Sequence, residues 1–333
     1  MRRRTLLAGL ALPLLGACTP AMQSIGAPGE GFSGPRLEDD AFVSFDGARL
    51  ALQRWMPVGE PEHVIVGLHG FNDYANTFNL AAPWWAERGI ATYAFDQRGF
   101  GRSPGRGVWA PEGAMIDDVR NCVDLVRRRH PKAVITVAGV SMGGSVAIAA
   151  FASDRPPQAD RVVLLAPGVW GWSVQPLPYR TSLWLTAHLL GDEVLGPPEW
   201  VLRNVRASDH IDELIRMGRD RNMIWGARSD AMYGLVRLMD TAWRSTGQIA
   251  APVGYFYGAR DQIIPPRPTE QAADRLKPGD RTAYYPAGYH LLLIDRQRER
   301  VFADVAAFIR DPAQPLPSGV GPIEGLPRRP YRA

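Results

Sequence analysis

An α/β fold, with a mostly parallel sheet layered by helices, is predicted for this 333-residue chain by three observations. Short apolar runs alternate with helix-like stretches along most of its length. A Gly-x-Ser-x-Gly sequence sits where one such run meets a helix-like stretch. One interval, residues 170–247, breaks the alternation with a tryptophan-rich segment that carries no good strand. The composition agrees: 46% hydrophobic and 22% charged residues are globular proportions and argue against a disordered or fibrous chain.

The first eighteen residues read as an address. Arg2, Arg3 and Arg4 precede an apolar run over 6–15, too short to span a bilayer, and small residues follow. Leu15-Gly16-Ala17-Cys18 resembles the lipobox of bacterial lipoproteins. That resemblance implies a signal peptide over 1–17 and a lipid on the Cys18 thiol. It also implies an exported protein anchored to a membrane and facing the periplasm. Thr19 after the cysteine is not an inner-membrane retention signal of the aspartate kind, which favours the outer membrane. Arg3-Arg4-Thr5-Leu6-Leu7 fits a twin-arginine signal and a general export signal alike. Without the three leading arginines, 35 basic residues face 34 acidic ones, so no global charge draws the chain to nucleic acid. Cys122 then has no partner, and its helical spacing from Met115, Val119 and Val126 places it in a core.

Residues 18–40 are Gly/Pro-rich and read as a flexible tether, and 311–333 as a disordered tail. Between them, 42–45 and 50–55 flank an Asp46-Gly47 turn, a hairpin signal. Apolar runs at 63–68, 90–95, 134–138, 162–166, 253–257 and 282–285 fit buried strands. Helices are expected at 75–88, 112–130, 142–153, 269–276 and 295–310. The cationic end at Arg127-Arg128-Arg129-His130 suits a helix C-terminus before Pro131. The insertion holds six of the ten tryptophans and four of the nine methionines. It offers helices at 181–190, 209–217 and 230–242, the last two preceded by possible caps Ser208 and Ser229. As a group these residues suggest an apolar, adaptable entrance over one edge of the sheet. The core thus spans 41–169 and 248–310, interrupted by a helical cap over 170–247.

Gly139-Val140-Ser141-Met142-Gly143 follows the 134–138 strand directly and opens a helix. That strand–turn–helix context is the nucleophile elbow: a strained turn lifts the serine hydroxyl above the sheet, and glycines remove the side chains that would collide. The hydroxyl needs a base. Of six histidines, His290 lies just beyond the last strand and near the end of the core, as the order Ser, acid, His requires. Asp261 ends the 253–257 strand, 120 residues after Ser141 and 29 before His290, where it can hold the imidazole tautomer. Oxyanion donors are expected at the N–H of Met142 and, in the loop His69-Gly70-Phe71-Asn72-Asp73, at the N–H of Phe71. His69 is read as a structural histidine fixing that loop. No HxH or HExxH cluster is present, so neither metal nor cofactor is expected.

Together with Asp96-Gln97-Arg98-Gly99-Phe100-Gly101-Arg102-Ser103, these segments resemble the serine α/β-hydrolases, specifically the monoacylglycerol lipase and lysophospholipase branch. The resemblance covers 41–310. It implies an α/β-hydrolase fold of eight strands with a helical cap after the sixth. It implies Ser141, Asp261 and His290 as triad, and Phe71 and Met142 as oxyanion donors. It gives Asp96, Arg98 and Ser103 structural roles beneath the site. Many relatives carry glutamate in place of Asp73, and the lipase proper carries histidine in place of Tyr74. The expected activity is hydrolysis of small amphiphilic esters. The alternatives are a peptidase, amidase or thioesterase with the same triad, or a non-catalytic lipid- or protein-binding lipoprotein.

Overall fold

A computed structural model describes residues 19–325; the expected signal peptide over 1–17, Cys18 and the last eight residues lie outside the described part. The chain runs β1 (Arg36–Leu37), β2 (Ala41–Val43), β3 (Arg49–Trp55), β4 (His63–Leu68), α1 (Ala81–Ala86), β5 (Ile90–Phe95), α2 (Glu112–Arg129), β6 (Val134–Val140), α3 (Met142–Phe151) and β7 (Arg161–Leu165). Then follow α4 (Leu177–Leu189), β8 (Val194–Leu195), α5 (Glu199–Asn204), α6 (Ile211–Gly218), β9 (Ala227–Arg228) and α7 (Ser229–Ser245). β10 (Val253–Gly258), α8 (Pro266–Ala273), β11 (Arg281–Tyr285) and α9 (Arg298–Arg310) complete the body.

The sheet has nine strands in the order β1-β2-β3-β5-β4-β6-β7-β10-β11, one more than expected because β1 adds to its edge. From β5 to β11 every neighbouring pair is parallel, and β3 joins β5 antiparallel. Parallel strands are covered on both faces, which is why β4 and β6 read as unbroken apolar runs. One face packs Trp85 of α1 and Val301, Phe302 and Val305 of α9. The other packs Val119 and Cys122 of α2, Val146 of α3 and Leu235 of α7. Cys122 is fully buried there, as its spacing predicts.

Several expectations change. The 75–88 helix is two pieces, a 3-10 turn at Ala75–Phe78 and then α1. Pro83 explains the break: starting at Ala81 puts the proline in the first turn, where its missing N–H costs nothing. Neither serine caps as expected. His210, not Ser208, precedes α6, and Ser229 is already helical, with its hydroxyl donating to the Leu190 carbonyl at the end of α4. Two short strands, β8 and β9, pair within the insertion, where none was expected. α7 lies within the expected cap range but packs in the layer with α3. Trp109 lies so close to Gly234 that a Cβ there would sit 2.4 Å from its ring.

The flanking segments are also seated. Gln23 donates its backbone N–H to Trp109 O at 2.8 Å and its side-chain amide to Val108 O at 2.7 Å. The expected tether is therefore docked on the body near its start. The expected disordered tail lies along β11 as far as it is described. Tyr284 N–H donates to Gly321 O at 2.9 Å, Ile323 N–H to Thr282 Oγ1 at 3.0 Å, and the Ile323 side chain is buried. β11 is the sheet's edge, and this proline-rich strap satisfies donors that an open edge leaves exposed.

Candidate active site

Ser141 sits at the junction of β6 and α3 with φ +50°, a left-handed conformation that a non-glycine residue holds only under constraint. Its neighbours supply the constraint. A Cβ on Gly139 would meet Gly143 O at 2.4 Å, and one on Gly143 would meet Leu68 O at 2.2 Å. Only glycine lets β6, the turn and α3 approach so closely, so the motif's spacing is a steric requirement. Ser141 N–H donates to Leu165 O at 3.0 Å, and Ser141 O accepts from Gly168 N–H at 2.9 Å, pinning the turn to the end of β7. Met142 is the first residue of α3, where a backbone N–H has no acceptor within its own helix.

The loop after β4 lies against this turn: a Cβ on Gly70 would be 3.5 Å from Ser141 Cβ. His69 fixes the loop. Gln97 N–H donates to its Nε2 at 2.8 Å, so the proton is on Nδ1, which donates to Gly70 O at 2.7 Å. Both ring nitrogens are occupied, and burial pushes the pKa down to about 4. His69 is the neutral loop-holding residue that the sequence suggested, with no nitrogen free to act as a base. Phe71, the expected donor, packs edge-on to Phe100 with ring centroids 5.5 Å apart. Asn72 is left-handed at φ +62° and ties the loop to the cap. Its carbonyl accepts from Ile224 N–H, and its amide donates to Gly226 O, both at 3.0 Å.

Asp261 and His290 come from the loops that leave β10 and β11 at the sheet end where β6 delivers Ser141. His290 Nδ1–H donates to Asp261 Oδ2 at 2.8 Å, and both side chains are almost fully buried. Asp261 Oδ1 accepts N–H groups from Ile263 at 2.7 Å and Ile264 at 2.9 Å, so both carboxylate oxygens are aimed. A pocket near this junction is lined by Val140 and Leu291, the chain neighbours of Ser141 and His290. Asp73, Asn76, Thr77 and Asn79 give it a polar side, and Arg216, Met217, Asp220 and Met223 line it from the cap.

Two carboxylates beside the site escaped the sequence reading. Asp295 accepts Tyr289 N–H at 2.7 Å on one oxygen and the Ser208 hydroxyl at 2.7 Å on the other. It thereby holds the turn that presents His290 and joins it to the cap; Leu291 N–H adds a bond to Ala207 O at 2.8 Å. Burial raises its pKa to about 6. The sequence placed Asp295 at the start of a helix, and nothing local tied it to a serine 87 residues away. Asp220 accepts from the Tyr74 hydroxyl at 2.6 Å, linking the segment after β4 to the turn just past α6. Asp73 accepts from Tyr74 N–H and the Thr77 hydroxyl, and burial raises its pKa to about 6.

Beneath the site, Asp96 accepts N–H groups from Ala75 and Arg102, each at 2.9 Å, and Ser103 Oγ donates to Asp96 O. Arg98 bridges Asp46 and Asp118 with four hydrogen bonds of 2.7–2.9 Å. These are the structural roles the resemblance implies. Among the described residues no cluster of His, Cys, Asp and Glu could hold a metal ion. None of their helices is long and apolar enough to cross a membrane.

The chain matches the family described as serine aminopeptidase, S33, over residues 59–297. It is 26% identical over 285 residues to a monoacylglycerol lipase of Mycolicibacterium smegmatis, covering 81% of this chain and 96% of the relative. It is 30% identical over 258 residues to human monoglyceride lipase, covering 75% and 82%. Among solved structures, a soluble monoglyceride lipase variant from Saccharomyces cerevisiae superposes with a TM-score of 0.69. It is 18% identical, with 87% of this chain and all of the other covered. A carboxyl esterase from Bacillus coagulans gives 0.68 at 18% identity, covering 82% and 98%.

Proposed function

The chain belongs to the serine aminopeptidase S33 family of α/β-hydrolases, and from that membership we propose that it is a carboxylic ester hydrolase working through Ser141, His290 and Asp261. The observation that carries this reading is the buried Asp261–His290 hydrogen bond, set in the loops after β10 and β11 at the sheet end that presents the strained Ser141.

In this reading Ser141 Oγ attacks the ester carbonyl while His290 Nε2 takes its proton. The negative charge on the former carbonyl oxygen meets the N–H groups of Phe71 and Met142. The tetrahedral species collapses, the bond to the alcohol oxygen breaks, and His290 returns its proton to the departing alcohol. A water, deprotonated by His290, then releases the acid and regenerates the serine. Asp261 keeps the imidazole in the tautomer this sequence needs and stabilises its cationic form. An apolar cap and monoacylglycerol-cleaving relatives support monoacylglycerols or lysophospholipids as substrates. The export and lipobox signals support a bacterial lipoprotein that meets such esters at a membrane, held there by Cys18.

The family's description names an aminopeptidase, so amides are the second reading. Matched monoacylglycerol, lysophospholipid, thioester and anilide substrates of one acyl length separate the two. The ester reading expects kcat/KM on the monoacylglycerol to exceed that on the anilide by orders of magnitude. Comparable rates on the anilide would overturn it.

A further inference from the structure

Gln23 lies in a slot shaped by the loop after β5, residues 97–109. That loop doubles back on itself: Gly107 N–H donates to Gly99 O and Val108 N–H to Gly105 O, each at 2.8 Å. Gly99 and Gly105 both hold positive φ, at +86° and +74°. A Cβ on Gly105 would lie 2.5 Å from Gln23 Cδ, and one on Gly99 would lie 3.1 Å from Gln23 Nε2. A side chain at either place would crowd the glutamine out. Gln23 Nε2 donates to Val108 O at 2.7 Å and to Gly105 O at 3.4 Å, and Gln23 N–H donates to Trp109 O at 2.8 Å. Further along the same segment, Pro28 and Phe32 lie against Gly47, in the turn whose Asp46 accepts from Arg98.

The loop that Gln23 fastens also presses on Phe71. Phe100 meets the Phe71 ring edge-on with centroids 5.5 Å apart and the His69 ring at 5.6 Å, and Trp109 approaches Phe71 at 6.4 Å. Phe100 and Trp109 are both buried. On its other side the loop is clamped to the cap, where Arg106 donates to the carbonyls of Arg221, Asn222 and Met223 at 2.8–2.9 Å. Residues 97–109 contain neither helix nor strand, so no ladder of regular hydrogen bonds sets their shape. Their shape depends on ties of this kind, and Gln23 supplies three of them.

We propose that Gln23 is a positioning residue of the active site. By holding the 97–109 loop in its folded-back shape, it keeps Phe100 and Trp109 packed on Phe71 and so fixes the Phe71 N–H where the oxyanion forms. This rests on the reading of Phe71 N–H as an oxyanion donor. The segment ahead of the sheet is then part of the catalytic framework and more than a tether.

The test compares the full-length chain with its Gln23→Ala variant, well below the thermal transition of either. The loop keeps its bonds to the cap in the variant, so Phe71 is displaced and not lost. The expected fall in kcat is about 10-fold, less than the 10²–10³ that removing a donor costs, with KM within about twofold. A trifluoromethyl ketone that Ser141 converts into a tetrahedral oxyanion is expected to bind more weakly by the factor lost in kcat/KM. The pH at which kcat/KM rises stays put, because the Asp261–His290 hydrogen bond is untouched. Amide hydrogen exchange quickens in 69–73 and 97–109 and not in 259–290. Met22→Ala, at an exposed neighbour, is expected to match the parent in every readout. Unchanged kcat, unweakened ketone binding, unchanged exchange at 69–73 or an equal loss in Met22→Ala overturns the role of Gln23, while the parent's own turnover keeps the ester-hydrolase reading standing. A parent that neither hydrolyses esters nor binds the ketone overturns both.

Discussion

His290 donates Nδ1–H to Asp261 Oδ2 across 2.8 Å, while the other oxygen of Asp261 is held by the N–H groups of Ile263 and Ile264. The carboxylate can therefore keep its place after losing its charge. Asp261→Asn is expected to leave the thermal transition within a few degrees of the parent. It should cut kcat by about 10³–10⁴, because an amide no longer enforces the Nδ1–H tautomer. Thermal unfolding and ester kinetics on one preparation check both halves.

Asp295 acts on the same histidine through the backbone. Asp295→Ala removes the acceptor of Tyr289 N–H and frees the Ser208 hydroxyl. Ester turnover is expected to fall by about 10-fold or more, a scale consistent with displacement of a positioned group. Asp295→Asn, which keeps one oxygen for Tyr289 N–H, is expected to recover most of that loss. Equal damage from both variants would assign Asp295 a charge role instead.

Stability should rise on mild acidification. Burial lifts the pKa of Asp73, Asp118 and Asp295 from 3.8 to about 6. Between those values the folded chain binds more protons than the unfolded chain, so unfolding free energy falls as pH rises through about 6. Urea unfolding is expected to show greater stability at pH 5 than at pH 7 from these groups. Asp295→Asn should shrink that difference; an unchanged difference would exclude Asp295 as a contributor.

Arg98→Met would leave Asp118 buried without its cation, although the Ser44 hydroxyl still donates to it. Breaking a buried pair from one side costs about 3–5 kcal/mol. Chemical denaturation is expected to show a loss of that size. A combined Arg98→Met, Asp118→Leu variant should recover part of it. No recovery would mean that the loop around Arg98, rather than charge, carries the cost.

What the sequence revealed was what local chemistry dictates. The glycines around Ser141 are steric necessities, and Asp261 and His290 lie in the loops just past consecutive strands, so periodicity and motif placed them. What escaped depends on distant partners. Asp295 finds Ser208 only through the fold, and Asp220 meets Tyr74 across the cap boundary. The last stretch looked disordered because proline and glycine suppress regular structure, yet those residues suit a strap along the sheet edge. Gln23 likewise has no local signal, since the carbonyls that hold it are more than eighty residues away.

The most direct measurement is labelling with a fluorophosphonate probe, mapped by mass spectrometry, alongside monoacylglycerol hydrolysis by parent and Ser141→Ala protein. The expected result is one adduct on Ser141, with the variant losing both the adduct and at least about 10⁴-fold in turnover. Hydrolysis by the alanine variant at the parent rate, or an adduct on another residue, would contradict the assignment of Ser141 as nucleophile.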